Sequence, residues 1–207
     1  MKIIYTKDKE FKTEFENILK RAKSDIKGVS KIVENIIDEI VEDGNEALKR
    51  HIEKFDKWIV KSDDELLISQ DSMKKAYETL DESLKKSLHI AYERIKAYHE
   101  KQLPKSWIDF EENGTILGQK VTAVDRAGLY IPGGKAAYPS SLLMNAIPAK
   151  VAGVKEIVVC TPTPNNEVNE LLLAACHLCG VSKVYKVGGA SAIAAMAYGT
   201  KTIPKVD

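Results

Sequence analysis

Residues 126–134, RAGLYIPGG, decide the fold of this chain. The apolar run at 129–131 predicts a short buried strand, and Pro132 then turns the chain into two glycines. Bare backbone at Gly133 and Gly134 lets another group come close to the main chain. The residues that follow, KAAYPSSLLM, open a helix. A strand, a loop and a helix start, in this order, form the place where open α/β sheets bind their ligands.

The same order of strand and helix repeats along the second half of the chain. Continuous apolar runs predict buried parallel strands at 127–131, 156–161 and 183–187. Helical spacing predicts helices at 140–152 and 167–179, and a third in the small-residue segment SAIAAMAYG. The predicted fold class is therefore α/β, with a Rossmann-like parallel βαβαβ domain that carries helices on both faces.

Two details of the first of these helices can be predicted from residue chemistry. Ser140 or Ser141 is expected to cap its start by accepting a bond from a first-turn N–H. Pro148 lies inside it and should kink it or divide it in two.

The first half of the chain is predicted to be mostly helical. Apolar residues at helical spacing run from Val29 to Val41 and end at Gly44. The later predictions are a short helix at 46–55, an irregular polar stretch at 58–68, one long amphipathic helix at 72–101 that Pro104 ends, and two short strands in 105–125. We therefore divide the chain into a helical N-terminal region, 1–104, and a Rossmann-like α/β domain, 105–207, whose C-terminal edge is expected to be incomplete.

Composition excludes several classes of function. The net charge of +1 gives no indication of a nucleic-acid partner, and no apolar run approaches the roughly 20 residues of a membrane span. The first residues, MKIIYTKDKEFK, lack the apolar core of a signal peptide. Three cysteines fit a reducing compartment better than a disulfide framework. The expected location is the cytoplasm.

A second glycine turn precedes the last predicted helix. Gly188, Gly189 and Ser191 stand where free N–H groups suit a phosphate or a ribose hydroxyl. An ordinary turn explains the glycines equally well, and capping of the helix is the favoured role for Ser191. Lys135 and Arg126 flank the first loop and could meet phosphates, although a solvated surface charge is the commoner role.

The cysteines and histidines give no metal site in their spacing. Cys176 and Cys179 form a C-x-x-C pair at a helix end among leucines and alanines, which favours buried packing over zinc or redox use. The histidines form no HxxH or HExxH pair, so no metal ligands are predicted in this chain. Cys160 alone stands near a loop, which leaves a thiol nucleophile of the aldehyde-dehydrogenase kind as a weak alternative.

Several segments closely resemble histidinol dehydrogenase. They are RAGLYIPGGKAAYPSSLLMNAIPAKVAGVKEIVVCTP and VGGASAIAAMAYGTKTIPKVD, with GNEALKRHIEKFD and AYERIKAYHEKQ in the helical half. The resemblance implies an NAD-dependent, zinc-containing homodimer that oxidises L-histidinol to L-histidine through an aldehyde. It also implies that the zinc ligands and the acid–base residues lie beyond residue 207, so that this chain holds no catalytic residue and is inactive alone.

The resemblance assigns residues to the cofactor. Tyr130 matches a tyrosine that contacts NAD, and Pro132, Gly133, Gly134, Gly188, Gly189 and Ser191 form the two turns across which NAD would lie. Many members carry glutamine where this chain has Ser191, which puts a direct contact there in doubt. The alternative function is a non-catalytic module that binds a nucleotide or dimerises.

Overall fold

The computed structural model of the chain describes residues 3–24, 26–133 and 138–207. Within them, eight α-helices form: α1 (Phe11–Ser24), α2 (Ile26–Asp43), α3 (Asn45–Asp56), α4 (Gln70–Glu78), α5 (Glu82–Glu100), α6 (Pro139–Val151), α7 (Glu170–Cys179) and α8 (Gly189–Tyr198). The six strands of the same residues are β1 (Leu67–Ile68), β2 (Trp107–Phe110), β3 (Ile116–Gln119), β4 (Arg126–Tyr130), β5 (Glu156–Cys160) and β6 (Lys183–Tyr185). None of the helices in these residues has both the length and the apolar character that crossing a membrane requires.

The main sheet has the order β1-β6-β5-β4. Strands β4, β5 and β6 are parallel, as the βα repeats predict, and β1 joins the edge antiparallel to β6. The predicted pair of short strands is also present, because β2 and β3 form an antiparallel hairpin. The α/β fold class with a parallel sheet is therefore confirmed.

Strand β5 divides two cores, because its side chains alternate between the faces of the sheet. Ile157 and Val159 lie in one core, against apolar residues of α4, α5, α6 and α7. Val158 and Cys160 lie in the other, against α2, α3 and α8. Helices of the N-terminal region thus pack on both faces of the sheet. The division of the chain at residue 104 stays a prediction.

The predicted helix at 72–101 is wrong in one respect, since two helices occupy this stretch. The carboxylate of Asp81 accepts hydrogen bonds from Ser83 N at 2.9 Å and Leu84 N at 3.3 Å, and so caps a new helix, α5. The apolar stripe continues across the break through Leu80 and Leu84, which is why periodicity alone does not reveal it.

Three smaller predictions are also corrected, the last of them in part. The stretch at 58–68 is not wholly irregular, because it holds a 3₁₀ turn, Asp63–Leu66, and the two-residue strand β1, which is too short for a periodic signal. Neither Ser140 nor Ser141 caps α6, since that helix begins one residue earlier, at Pro139, where the fixed φ of proline suits a first turn. Helix α6 continues undivided through Pro148, so the predicted division is wrong, and the predicted kink stays a prediction.

The core that contains α6 is expected to dominate stability. Leu142 is 0% exposed, so Leu142→Ala should lower the free energy of unfolding by about 2–5 kcal/mol through lost apolar burial and a residual cavity. Met144, on the same helix, is 56% exposed, so Met144→Ala should change it by less than about 0.5 kcal/mol. Urea denaturation followed by circular dichroism measures both, and equal losses would contradict this placement of α6.

Candidate functional site

The carboxyl ends of the three parallel strands meet at one edge of the sheet. Tyr130 of β4 pairs with Cys160 of β5, which pairs with Tyr185 of β6, so the strands end at the same level. The ladder extends one residue further, where Ile131 N donates to Cys160 O at 2.9 Å and Thr161 N donates to Tyr185 O at 3.0 Å. The loops that follow the strands are therefore neighbours.

Pro162, in the middle loop, lies between the two glycine turns. A Cβ built on Gly133 would lie 2.7 Å from Pro162 O, and one built on Gly188 would lie 2.5 Å from Pro162 Cβ. Both distances are shorter than any side chain tolerates, so both positions require glycine for this packing. Gly189 differs, because its φ of +62° favours glycine while open space surrounds it. Gly134 and Lys135 lie outside the described residues.

Tyr130 connects the two turns. Its hydroxyl accepts a hydrogen bond from Gly189 N at 3.3 Å, and its half-buried ring packs against the core formed with α2, α3 and α8. The side chain thus stands at the predicted edge, with its polar end at the start of α8. The predicted contact with NAD stays a prediction.

A cavity of about 350 Å³ opens beside the second turn. Part of its wall is apolar, formed by Ile32 and Ile36 of α2 and by Ile52 and Phe55 of α3. The remaining lining residues are His51, Asp56, Pro162, Val187, Gly188, Gly189, Ala190 and Ser191. The N-terminal helices therefore build one wall of the site, and the loops of the sheet build the other.

Ser191 does not cap α8, which corrects the favoured prediction. Gly188 holds the N-cap position without a side-chain bond, and Ser191 is the third residue of the helix. Its hydroxyl lies 2.9 Å from His51 Nδ1, and His51 Nε2 lies 2.9 Å from a carboxylate oxygen of Glu39. This order of groups is that of a serine–imidazole–carboxylate relay. The Ser191 residue is only 3% exposed, however, which leaves an acyl group little room.

No local sequence pattern marks His51 as a site residue, because 140 positions separate it from Ser191. The same holds for Asp56. Its buried carboxylate accepts a hydrogen bond from Thr163 N at 2.9 Å, across 107 positions, and so joins α3 to the loop after β5. Burial raises the pKa of Asp56 from its ordinary value, and the Thr163 bond opposes this shift.

Arg126 lies at the opposite end of β4 from the glycine turns. Its guanidinium pairs with Glu156 at 2.6 Å and donates to Lys205 O at 2.7 Å. The Glu156 pKa is lowered chiefly by the hydrogen bond from this guanidinium. A role of Arg126 at phosphates of the carboxyl edge is therefore wrong.

The three cysteines are free and buried. Burial raises the pKa of Cys160 to about 12, so its thiol is neutral and enclosed, and the alternative of a Cys160 nucleophile is wrong. Cys176 and Cys179 are 0% exposed in the core beside α7, which confirms the packing role. Among the described residues, no group of three His, Cys, Asp or Glu side chains could hold a metal ion.

Comparison with known proteins agrees with this architecture. A family model described as histidinol dehydrogenase matches residues 19–207. The histidinol dehydrogenase of Sulfurimonas denitrificans is 71% identical over 202 residues, which are 98% of this chain and 47% of that protein. That of Helicobacter hepaticus is 62% identical over 207 residues, which are 100% of this chain and 48% of that protein.

A solved structure gives the same result. The crystal structure of histidinol dehydrogenase from Elizabethkingia anophelis matches with a TM-score of 0.79 and 32% identity, over 86% of this chain and 41% of that chain. The chain spans about half the length of the curated relatives it matches. With the parallel sheet and its two glycine turns, these similarities show that the chain belongs to the histidinol dehydrogenase family.

Proposed function

We propose that this chain is the NAD-binding part of an enzyme that oxidises L-histidinol to L-histidine through the aldehyde, in histidine biosynthesis. The observation that carries the proposal is the cavity at the carboxyl edge of the sheet. It lies beside the second glycine turn, where Gly189 N donates a hydrogen bond to the Tyr130 hydroxyl. Its volume, about 350 Å³, falls in the usual range for pockets that hold small molecules and cofactor parts.

The residues of this edge fit a dinucleotide. Isoleucine and phenylalanine side chains of α2 and α3 offer an apolar wall to a flat base or nicotinamide ring. The first amides of α8 have no partner within the helix and carry its positive dipole end, which suits the pyrophosphate. Pro132, Gly133 and Gly134 would border the cofactor on the β4 side. When bound, NAD supplies the hydride acceptor, and the chain orients it.

Zinc binding and acid–base chemistry are not proposed for the residues of this chain. The described residues offer no metal cluster that fits zinc, so no step through zinc is derived from them. We propose that the zinc ligands and the acid–base side chains belong to the part of the relatives' length that this chain does not span. We further propose that the enzyme is a homodimer and that it is located in the cytoplasm.

Tyr130 provides the first test. Tyr130→Ala removes the ring and the hydroxyl that accepts a hydrogen bond from Gly189, a residue of the cavity wall, and should weaken NAD binding by about 10-fold or more. Tyr130→Phe removes one neutral hydrogen bond and should weaken it by about 2- to 10-fold. Isothermal titration calorimetry with the 207-residue chain measures both.

Tyr98→Ala is the matched control, since Tyr98 is 62% exposed on α5, and α5 packs on the other face of the sheet from α2, α3 and α8. Equal dissociation constants for Tyr130→Ala and Tyr98→Ala would remove Tyr130 from the site. No NAD binding by the unaltered chain, with dimerisation retained, would favour the non-catalytic module.

Gly188 provides the second test. Gly188→Ala should force the second turn away from Pro162, because its new Cβ would collide with the proline ring. We expect NAD binding to weaken by about 10-fold or more, and the melting temperature to fall by several degrees. Gly28→Ala is the control, since a Cβ there meets nothing within 4 Å in α2. Unchanged NAD binding in Gly188→Ala would show that the turn is not part of the cofactor site.

Turnover provides the third test. The purified chain, supplied with L-histidinol, NAD and zinc, should form NADH no faster than the same mixture without protein. The reason is that the proposed acid–base side chains belong to the part of the relatives' length that this chain does not span. Absorbance at the NADH band measures the rate. NADH formation that scales with protein concentration would place those groups within this chain.

A further inference from the structure

The Ser191, His51 and Glu39 side chains form a chain of hydrogen bonds from the cavity to the surface. Ser191 and His51 both line the cavity and are 3% and 6% exposed. Glu39 stands at the outer end with 47% of its side chain exposed. Three elements are joined in this way, since Glu39 belongs to α2, His51 to α3 and Ser191 to α8.

The carboxylate of Glu39 determines which nitrogen of His51 carries the proton. An ionised carboxylate only accepts, so Nε2 must donate to it, at 2.9 Å. The bond to His51 is the largest cause that lowers the pKa of Glu39, which keeps the carboxylate ionised at neutral pH. In the neutral ring Nδ1 is then bare and accepts the Ser191 hydroxyl proton, also at 2.9 Å.

Neighbouring groups fix this arrangement. The Arg50 guanidinium lies 3.7 Å from the same Glu39 oxygen and pairs with Asp43 at 2.5 Å, so the outer end is charge-compensated. The Phe55 ring lies 6.1 Å from the His51 ring, centroid to centroid, on the cavity side of α3. The imidazole is thus confined on its helix.

We propose that His51 and Glu39 are positioning residues that hold the Ser191 hydroxyl as a hydrogen-bond acceptor towards the cavity. With its proton committed to His51, Ser191 Oγ keeps lone pairs for a donor on the cofactor, either a ribose hydroxyl or an amide N–H of NAD. This role rests on the proposed function. Without His51 the hydroxyl can rotate and present its own proton instead, which repels such a donor.

A double-mutant cycle tests whether His51 acts through Ser191. Ser191→Ala should weaken NAD binding by about 3- to 10-fold, and His51→Phe by about 2- to 5-fold. In the Ser191→Ala background, His51→Phe should cause no further loss, because the hydroxyl that it orients is already gone. Calorimetric titration of NAD into the four forms of the chain measures the coupling.

Glu39→Ala is a second route to the same result, since Glu39 is half exposed and its removal does not open the core. It should lower NAD affinity in the Ser191 background and leave it unchanged in Ser191→Ala. Glu42→Ala, on the exposed side of the same helix, is the matched control and should have no effect in either background.

Nitrogen NMR of the His51 imidazole supplies a readout that does not need NAD. The unaltered chain should show a protonated Nε2 and a bare Nδ1, and Glu39→Ala should lose this preference. The opposite tautomer, or losses that add fully in the double mutants, would overturn the positioning role while NAD binding persists. No NAD binding by the unaltered chain would overturn the proposed function, and the role with it.

Discussion

The contact of Pro162 with two glycines is the constraint on which the site depends. Because β5 is the middle parallel strand, the loop that follows it runs between the loops of β4 and β6. Pro162 fills the space that side chains at Gly133 and Gly188 would occupy, so both turns approach it closely. The glycines therefore first serve packing within the edge. The cofactor role proposed for them uses a surface that this packing has already shaped, and the hydrogen bond from Gly189 N to the Tyr130 hydroxyl links the second turn to β4.

Most of the fold could be predicted because short sequence patterns, each of a few residues, determine it. The continuous apolar runs of β5 and β6 and the helix-ending Gly180, which takes the left-handed conformation at φ 68°, are signals of a few residues each. The failures have the opposite character. The break between α4 and α5 leaves the apolar period intact and is marked only by the cap at Asp81, and β1 is two residues long. Its place in the sheet depends on β6, more than 100 positions later.

The candidate site divides in the same way. Tyr130 and the two glycine turns could be predicted, since each lies where a predicted strand ends and a helix follows. His51, Asp56 and Glu39 could not, because what makes them part of the site is a partner more than a hundred positions away or a contact with such a residue. In the sequence, a histidine on an amphipathic helix does not differ from any other polar helical residue. Only the packing of α8 against α2 and α3 brings His51 to the site.

This packing makes the N-terminal helices part of the candidate site. Helix α3 buries Ala47 and Leu48 in the core, and the same helix holds the loop after β5 through Asp56 and the start of α8 through His51. Two hydrogen bonds thus tie one helix to the loop after β5 and to the first turn of α8, both of which border the cavity. Any shift of α3 must either stretch these bonds or carry that loop and the start of α8 with it. The position of the cavity wall and the geometry of the second glycine turn are therefore set together, by residues of both halves of the chain.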